Sequence, residues 1–163
     1  MSVVRALVIV LFVVVAASVP ACGGADYHVS DDRRGDVNGR SFEFVSTKAD
    51  GTEWTFRARG NSLWVGYVRE DDIGELGDIQ LDRKETAQLW ELIENVDVGG
   101  RKRGKPDARR GTVIMRMREP DGAGGHDIQT VLVSRKTKDE DVLALAEYLV
   151  ELVSVHKKVE PVF

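Results

Sequence analysis

The residues best suited to chemistry in this 163-residue chain are one cysteine, three histidines and two clusters of like charge. Cys22 is the only thiol, so an internal disulfide is excluded, and an unpaired thiol in an oxidising compartment is a reactive liability. His28, His126 and His156 are scattered; none belongs to a His-Glu-x-x-His helix or has carboxylates or imidazoles at ligand spacing. Asp71, Asp72, Glu75 and Asp78 are dense enough to raise calcium, but they miss the alternating register of an EF-hand loop and have no long flanking helices. No Gly-x-Ser-x-Gly elbow supplies a nucleophile, and carboxylates on so charged a surface do not by themselves make a glycosidase. The expectation is therefore no catalytic residue, no metal site and no cofactor. The second cluster is basic: Arg101, Lys102, Arg103, Lys105, Arg109 and Arg110, divided by Pro106 and Asp107. These are candidate partner contacts for anionic head groups, lipopolysaccharide phosphates or an acidic protein. No aromatics are interleaved, which disfavours nucleic acid, and Gly104-Lys105 lacks the remaining residues of a phosphate-binding loop.

Cys22 is placed by what precedes it. Arg5 is followed by an uninterrupted apolar run over 6–17 and small residues at Ser18 and Ala21, the order of a secretion signal. The run is short for a transmembrane helix, and Pro20 with Gly23-Gly24 ends it without a basic stop. Plain secretion with an incidental Cys22, and a retained N-terminal helix, are the alternatives. Val19, Pro20, Ala21 and Cys22 resemble the lipobox of bacterial lipoproteins. That resemblance implies a signal peptide over 1–21 and a cut before Cys22. It also implies diacylation of the Cys22 sulfur (palmitate-type chains) and usually a third chain on its amine. The partner so implied is a lipid bilayer of the bacterial cell envelope. Gly23, where inner-membrane retention in enteric lipoproteins uses Asp, implies the outer membrane, with the folded part periplasmic or surface-exposed. Each buried methylene is worth about 0.8 kcal/mol, so two or three chains hold far better than one.

Behind the leader, about 140 residues allow one compact domain. The chain carries a net charge of −4 at pH 7, giving no overall attraction to nucleic acid. Residues 22–40 read as a lipidated N-terminus and flexible tether, rich in Gly, Asp and Arg and without sustained apolar period; a short edge strand at Tyr27 and Val29 is the alternative. A single α+β domain is expected over 41–163. Phe42 and Phe44 share one strand face, Asp50-Gly51 marks a hairpin turn, and Trp54, Phe56 and Ala58 share the next face. Residues 63–68 are apolar on both faces, which suits a covered strand. Residues 70–78 read as a solvated acidic loop or short edge element. Asp82 and Glu85 form a capping box opening a helix with Leu89, Leu92, Ile93 and Val96 on its apolar stripe and Trp90 at the border, where it could also serve a binding surface. Residues 99–111 read as a long mobile loop. Val113, Met115 and Met117 alternate on a strand, as core filler rather than metal ligands, and residues 127–133 return antiparallel. Thr137 and Glu140 form a second capping box before Val142, Leu145, Ala146, Leu149, Leu152 and Val153, beside Tyr148. Pro161 should stop any further helix, leaving 159–163 as a short closing tail with Val162 and Phe163 pinned back onto the domain.

The expected fold is thus an antiparallel five-stranded sheet with two amphipathic helices packed on it, in the order β-β-β-α-β-β-α. A strand pair opening at Phe42, the helix near Leu89, the hairpin from Val113 to Val133 and the final helix resemble, in order of elements, the emfourin group of small bacterial metalloprotease inhibitors. That resemblance implies periplasmic protease inhibition and places no inhibitory residue on this chain. The reading of the residues themselves is a membrane-anchored envelope protein, a non-catalytic accessory or interaction subunit with an envelope protein partner. A small envelope hydrolase would require histidine and carboxylate to converge in three dimensions.

Overall fold

The structure, a computed structural model, describes residues 39–70 and 72–162. The signal-like leader, Cys22, His28 and the alternative strand at Tyr27 and Val29 lie outside the described residues, as does the tether up to Asn38. The elements are β1 Ser41–Thr47, β2 Glu53–Arg59, β3 Ser62–Arg69, β4 Asp72–Gln80, α1 Arg83–Val96, β5 Thr112–Pro120, β6 His126–Ser134 and α2 Glu140–Lys157. All strand pairs are antiparallel, and the sheet order is β4-β3-β2-β1-β5-β6. The class is α+β, as the pattern of periods indicates, but the sheet has six strands rather than five.

The extra strand is β4, which occupies the stretch expected as an acidic loop. β3 is apolar on both faces and flanks β2 on one side, so its other edge needs a partner. β4 supplies it, with a register shift opposite Val65 and Gly66. Its charges suit an edge, where they discourage further strand pairing. Its glycine has a packing reason rather than a loop reason: a Cβ at Gly74 would lie 2.4 Å from the Tyr67 ring, which crosses that position.

One face of the sheet carries the core. Phe42, Phe44, Trp54, Phe56, Leu63, Val65, Ile79, Val113, Met115, Met117 and Val131 point to it and are buried. Phe44 meets Phe56 edge-on at 6.2 Å between centroids, and Trp54 stacks on Phe56 at 6.4 Å, arrangements that suit the ring quadrupoles. Both helices cover this face with Leu89, Trp90, Ile93 and Val96 from α1 and Val142, Leu145, Leu149, Leu152 and Val153 from α2. Trp90 is not a border residue. It is 0% exposed, its Nε1–H donates to the Gly60 carbonyl at 2.9 Å, and the Arg40 guanidinium lies 5.2 Å from its ring centroid. Burial that complete rules out the binding-surface reading of its face.

The helices run antiparallel, with the start of α1 beside the end of α2. Tyr148 Oη donates to the Glu85 carbonyl at 3.4 Å, and His156 Nε2 lies 2.8 Å from Glu85 Oε1. The α1 capping box is complete: Asp82 Oδ1 accepts from the Glu85 N–H at 2.8 Å and Glu85 Oε2 from the Asp82 N–H at 2.9 Å. The second box is displaced. α2 is capped by Asp139, which accepts from the Val142 N–H at 3.2 Å, while Thr137 accepts from the Asp139 N–H. Asp caps as well as Thr and leaves Glu140 and Asp141 in the first turn, where the helix dipole favours them. After Lys158 in a left-handed conformation, the tail packs back through Val159 and buried Pro161; Val162 is exposed.

Candidate functional site

The opposite face of the sheet has no helix over it, and its side chains are ordered by strand register. Arg57, Glu43 and Arg116 stand on one rung across β2, β1 and β5; Arg59, Ser41 and Arg118 stand on the next. Glu43 Oε1 accepts from Arg57 Nε at 2.9 Å, and its other oxygen accepts from Arg116 Nη1. The Arg57 guanidinium lies 4.9 Å from the Trp64 ring centroid, and Trp64 Nε1–H donates to Glu75 Oε2 at 3.1 Å. Arg118 Nη2 lies 3.2 Å from His126 Nδ1. Ile128, paired with Arg118 and 66% exposed, completes the rim. Arg57, Arg59, Arg116, Arg118, Glu43 and Ile128 line a basin of about 370 Å³ with four guanidiniums against one carboxylate. Its chemistry is bidentate anion recognition, which planar guanidiniums perform better than ammonium groups.

The six basic residues singled out in the sequence are not a single cluster in space. Arg101 is a structural joint. Its Nε donates to the Val96 carbonyl at the end of α1, while its Nη1 and Nη2 hold the Asp139 carboxylate that caps α2, Nη2 at 3.2 Å; Asp141 lies 3.6 Å away. Held by the Arg101 guanidinium, Asp139 stays below the ordinary carboxylate range. The Asp139 bond in turn raises the affinity of Arg101 for its proton.

Replacing Arg101 with alanine should remove about 2 kcal/mol of folding stability, the worth of charge-assisted bonds to partly buried groups. The sign of the acid effect follows. A depressed Asp139 stabilises the fold above the ordinary carboxylate pKa, and that contribution is lost as pH falls through its folded value. Urea melts of R101A at pH 7 and pH 3 should therefore show a deficit that shrinks on acidification; an equal deficit at both pH values contradicts the joint.

Lys102, Arg103, Lys105, Arg109 and Arg110 are exposed. Their loop is not mobile in the sense expected, because it is fastened along the outer edge of β6. The Leu132 N–H donates to the Arg103 carbonyl at 2.6 Å, and a Cβ at Gly104 would meet the Leu132 carbonyl oxygen at 2.0 Å. Asp107 then folds the second half: its carboxylate accepts from Ser134 Oγ at 2.7 Å and from the Arg109 and Arg110 N–H groups. Those bonds, the Ser134 hydroxyl first, hold Asp107 below the usual carboxylate range. Arg109 and Arg110 are thereby presented beside the start of β5, at the opposite end of the sheet from the arginine basin.

The two described histidines do not converge: His126 meets Arg118 and His156 meets Glu85; His28 lies outside the described residues. Among the described residues no group of three or more His, Cys, Asp or Glu side chains could hold a metal ion. Two acidic residues of β4 bond to neighbours, Asp78 accepting from Ser62 Oγ at 3.0 Å and Glu75 from Trp64. No helix among the described residues is long and apolar enough to cross a membrane. No protein-family model matches the chain, and no curated protein matches it.

Proposed function

We propose that the chain is a lipid-anchored protein of the bacterial cell envelope whose α+β domain serves an envelope assembly as a non-catalytic interaction subunit, held to the bilayer through acylated Cys22. The observation that carries this reading is the asymmetry of the sheet. One face is sealed by two helices over a continuous core, and the other displays an ordered lattice of arginines, Trp64 and Glu43. A basic loop is pinned to one sheet edge and an acidic strand forms the other. Rigid, oppositely charged edges supply orientation and on-rate for a protein partner.

The partner contact is assigned to the loop bearing Arg109 and Arg110, because Asp107 holds its backbone in one conformation. Affinity capture of the whole protein from detergent-solubilised envelopes tests it. A specific protein should be recovered with the unaltered chain and lost with R109S/R110S. Recovery of no specific protein, or equal recovery with both forms, overturns the assignment.

Metalloprotease inhibition is the second reading, favoured by one feature. The β5–β6 hairpin projects a rigid tip in which the Asp121 carboxylate accepts from the Ala123 and Gly125 N–H groups at 2.8 and 2.9 Å. A tip held in that way could fill a protease cleft without a large ordering cost.

A further inference from the structure

We infer that the arginine basin is a second, electrostatic contact with the membrane: it docks the open sheet face on anionic phospholipid head groups. The inference rests on the anchored reading above. β2 and β5 flank β1, so Arg57 and Arg59 stand about 10 Å from Arg116 and Arg118 at the backbone, and the members of each pair are about 7 Å apart along their strand. That frame lets guanidiniums from both sides close on a phosphate. Glu43 orients Arg57 and Arg116, while among the described residues Arg59 and Arg118 donate to no carboxylate. Exposed Ile128 stands beside Arg118, and an apolar side chain among cations suits the boundary between head groups and acyl chains.

A bilayer, rather than an acidic protein, is the occupant because of where the chain enters. Ser41, the first residue of β1, lines the basin between Arg59 and Arg118, and Gly39 sits against Pro120 at the same end. Only residues 22–40 separate Cys22 from that point, a span of at most about 65 Å. The lipid attachment therefore leads into the basin end of the sheet. Arg109 and Arg110 lie before β5, whose four steps to Arg116 and six to Arg118 put them about 14–20 Å away, well over one Debye length at physiological salt. Membrane contact and partner contact are thus assigned to opposite ends of the domain.

The test anchors the whole mature protein in vesicles of phosphatidylglycerol or of phosphatidylcholine carrying brominated acyl chains and reads quenching of Trp64, the tryptophan on the open face. Trp54 and Trp90 are buried and serve as the unquenched background. Quenching should appear with phosphatidylglycerol and not with phosphatidylcholine. At roughly a fivefold effect per arginine near an anionic surface, R59S/R118S should weaken docking about 30-fold, while the charge-matched R109S/R110S leaves it unchanged. Equal quenching in both lipids, or equal losses from the two substituted pairs, overturns the basin. The intact mass of the same preparation separates the two readings. Acylated protein without phosphatidylglycerol-dependent quenching sinks the basin alone, and quenching by an unacylated chain upholds the basin while removing the anchor.

Discussion

Trp90→Ala should cost about 4 kcal/mol, a large share of the roughly 5–15 kcal/mol that holds a domain folded. The residue is fully buried where α1 crosses the sheet, so truncation leaves a cavity the size of an indole among packed neighbours. It also leaves the Gly60 carbonyl without its donor and Arg40 without the ring beneath its guanidinium. Arg40 stands immediately before β1 and is paired with Glu94 at 3.1 Å and with Glu119 at 2.9 Å, so loss of Trp90 loosens the entry to that strand. Guanidinium unfolding followed by near-UV circular dichroism measures the effect. Trp90→Phe, which keeps a ring but no N–H, should cost about 1–2 kcal/mol. A W90A protein within about 1 kcal/mol of the unaltered one would show that this packing does not hold the domain together.

The second large effect concerns Cys22. Replacing it with alanine should abolish incorporation of labelled palmitate into the chain, because the alanine side chain offers no sulfur for a thioether. The size of the effect follows from acyl chain length: at about 0.8 kcal/mol per methylene, two chains hold a protein in a bilayer against high salt, where charge contacts alone would let go. The unaltered protein should accordingly stay with membranes in molar salt and require detergent for release. Release by salt alone would mean that surface charge, and not lipid, carries the attachment.

The parts of the fold legible in the sequence are those whose determinants are local. Asp82 and Glu85 lie three residues apart and close their box within one turn, so α1 is readable before any neighbour is known. Phe42, Phe44, Trp54 and Phe56 alternate because each strand has one buried face. The errors arise where a distant neighbour decides. Gly74 and Gly77 read as loop punctuation until Tyr67 is seen lying across Gly74, and β4 forms because β3 needs a partner. Thr137 and Asp139 are both competent caps, and Arg101, 38 residues upstream of Asp139, favours the aspartate by holding its carboxylate.

The same reasoning explains why the basin was hidden and the loop was not. Arg101 to Arg110 announce themselves by density along the chain, although the fold gives Arg101 to the helix joint. Arg57 and Arg59 on one strand and Arg116 and Arg118 on another are spaced two residues apart, a common pattern for a solvated strand face. Alternating arginines on two strands were the available signal. Their meeting requires β5 to lie beside β1, a pairing formed only after β4 and α1 have intervened. Glu43, between them, gives no hint in sequence that it accepts from both sides.

Intact-mass analysis of the mature protein purified from its own envelope bears most directly on the proposed attachment. The expected result is a polypeptide beginning at Cys22 and heavier than its amino acids by a diacylglyceryl group, with or without a third acyl chain on the amine. A mature chain whose Cys22 carries no lipid, or a protein that keeps residues 1–21 in the cytoplasm, would contradict it.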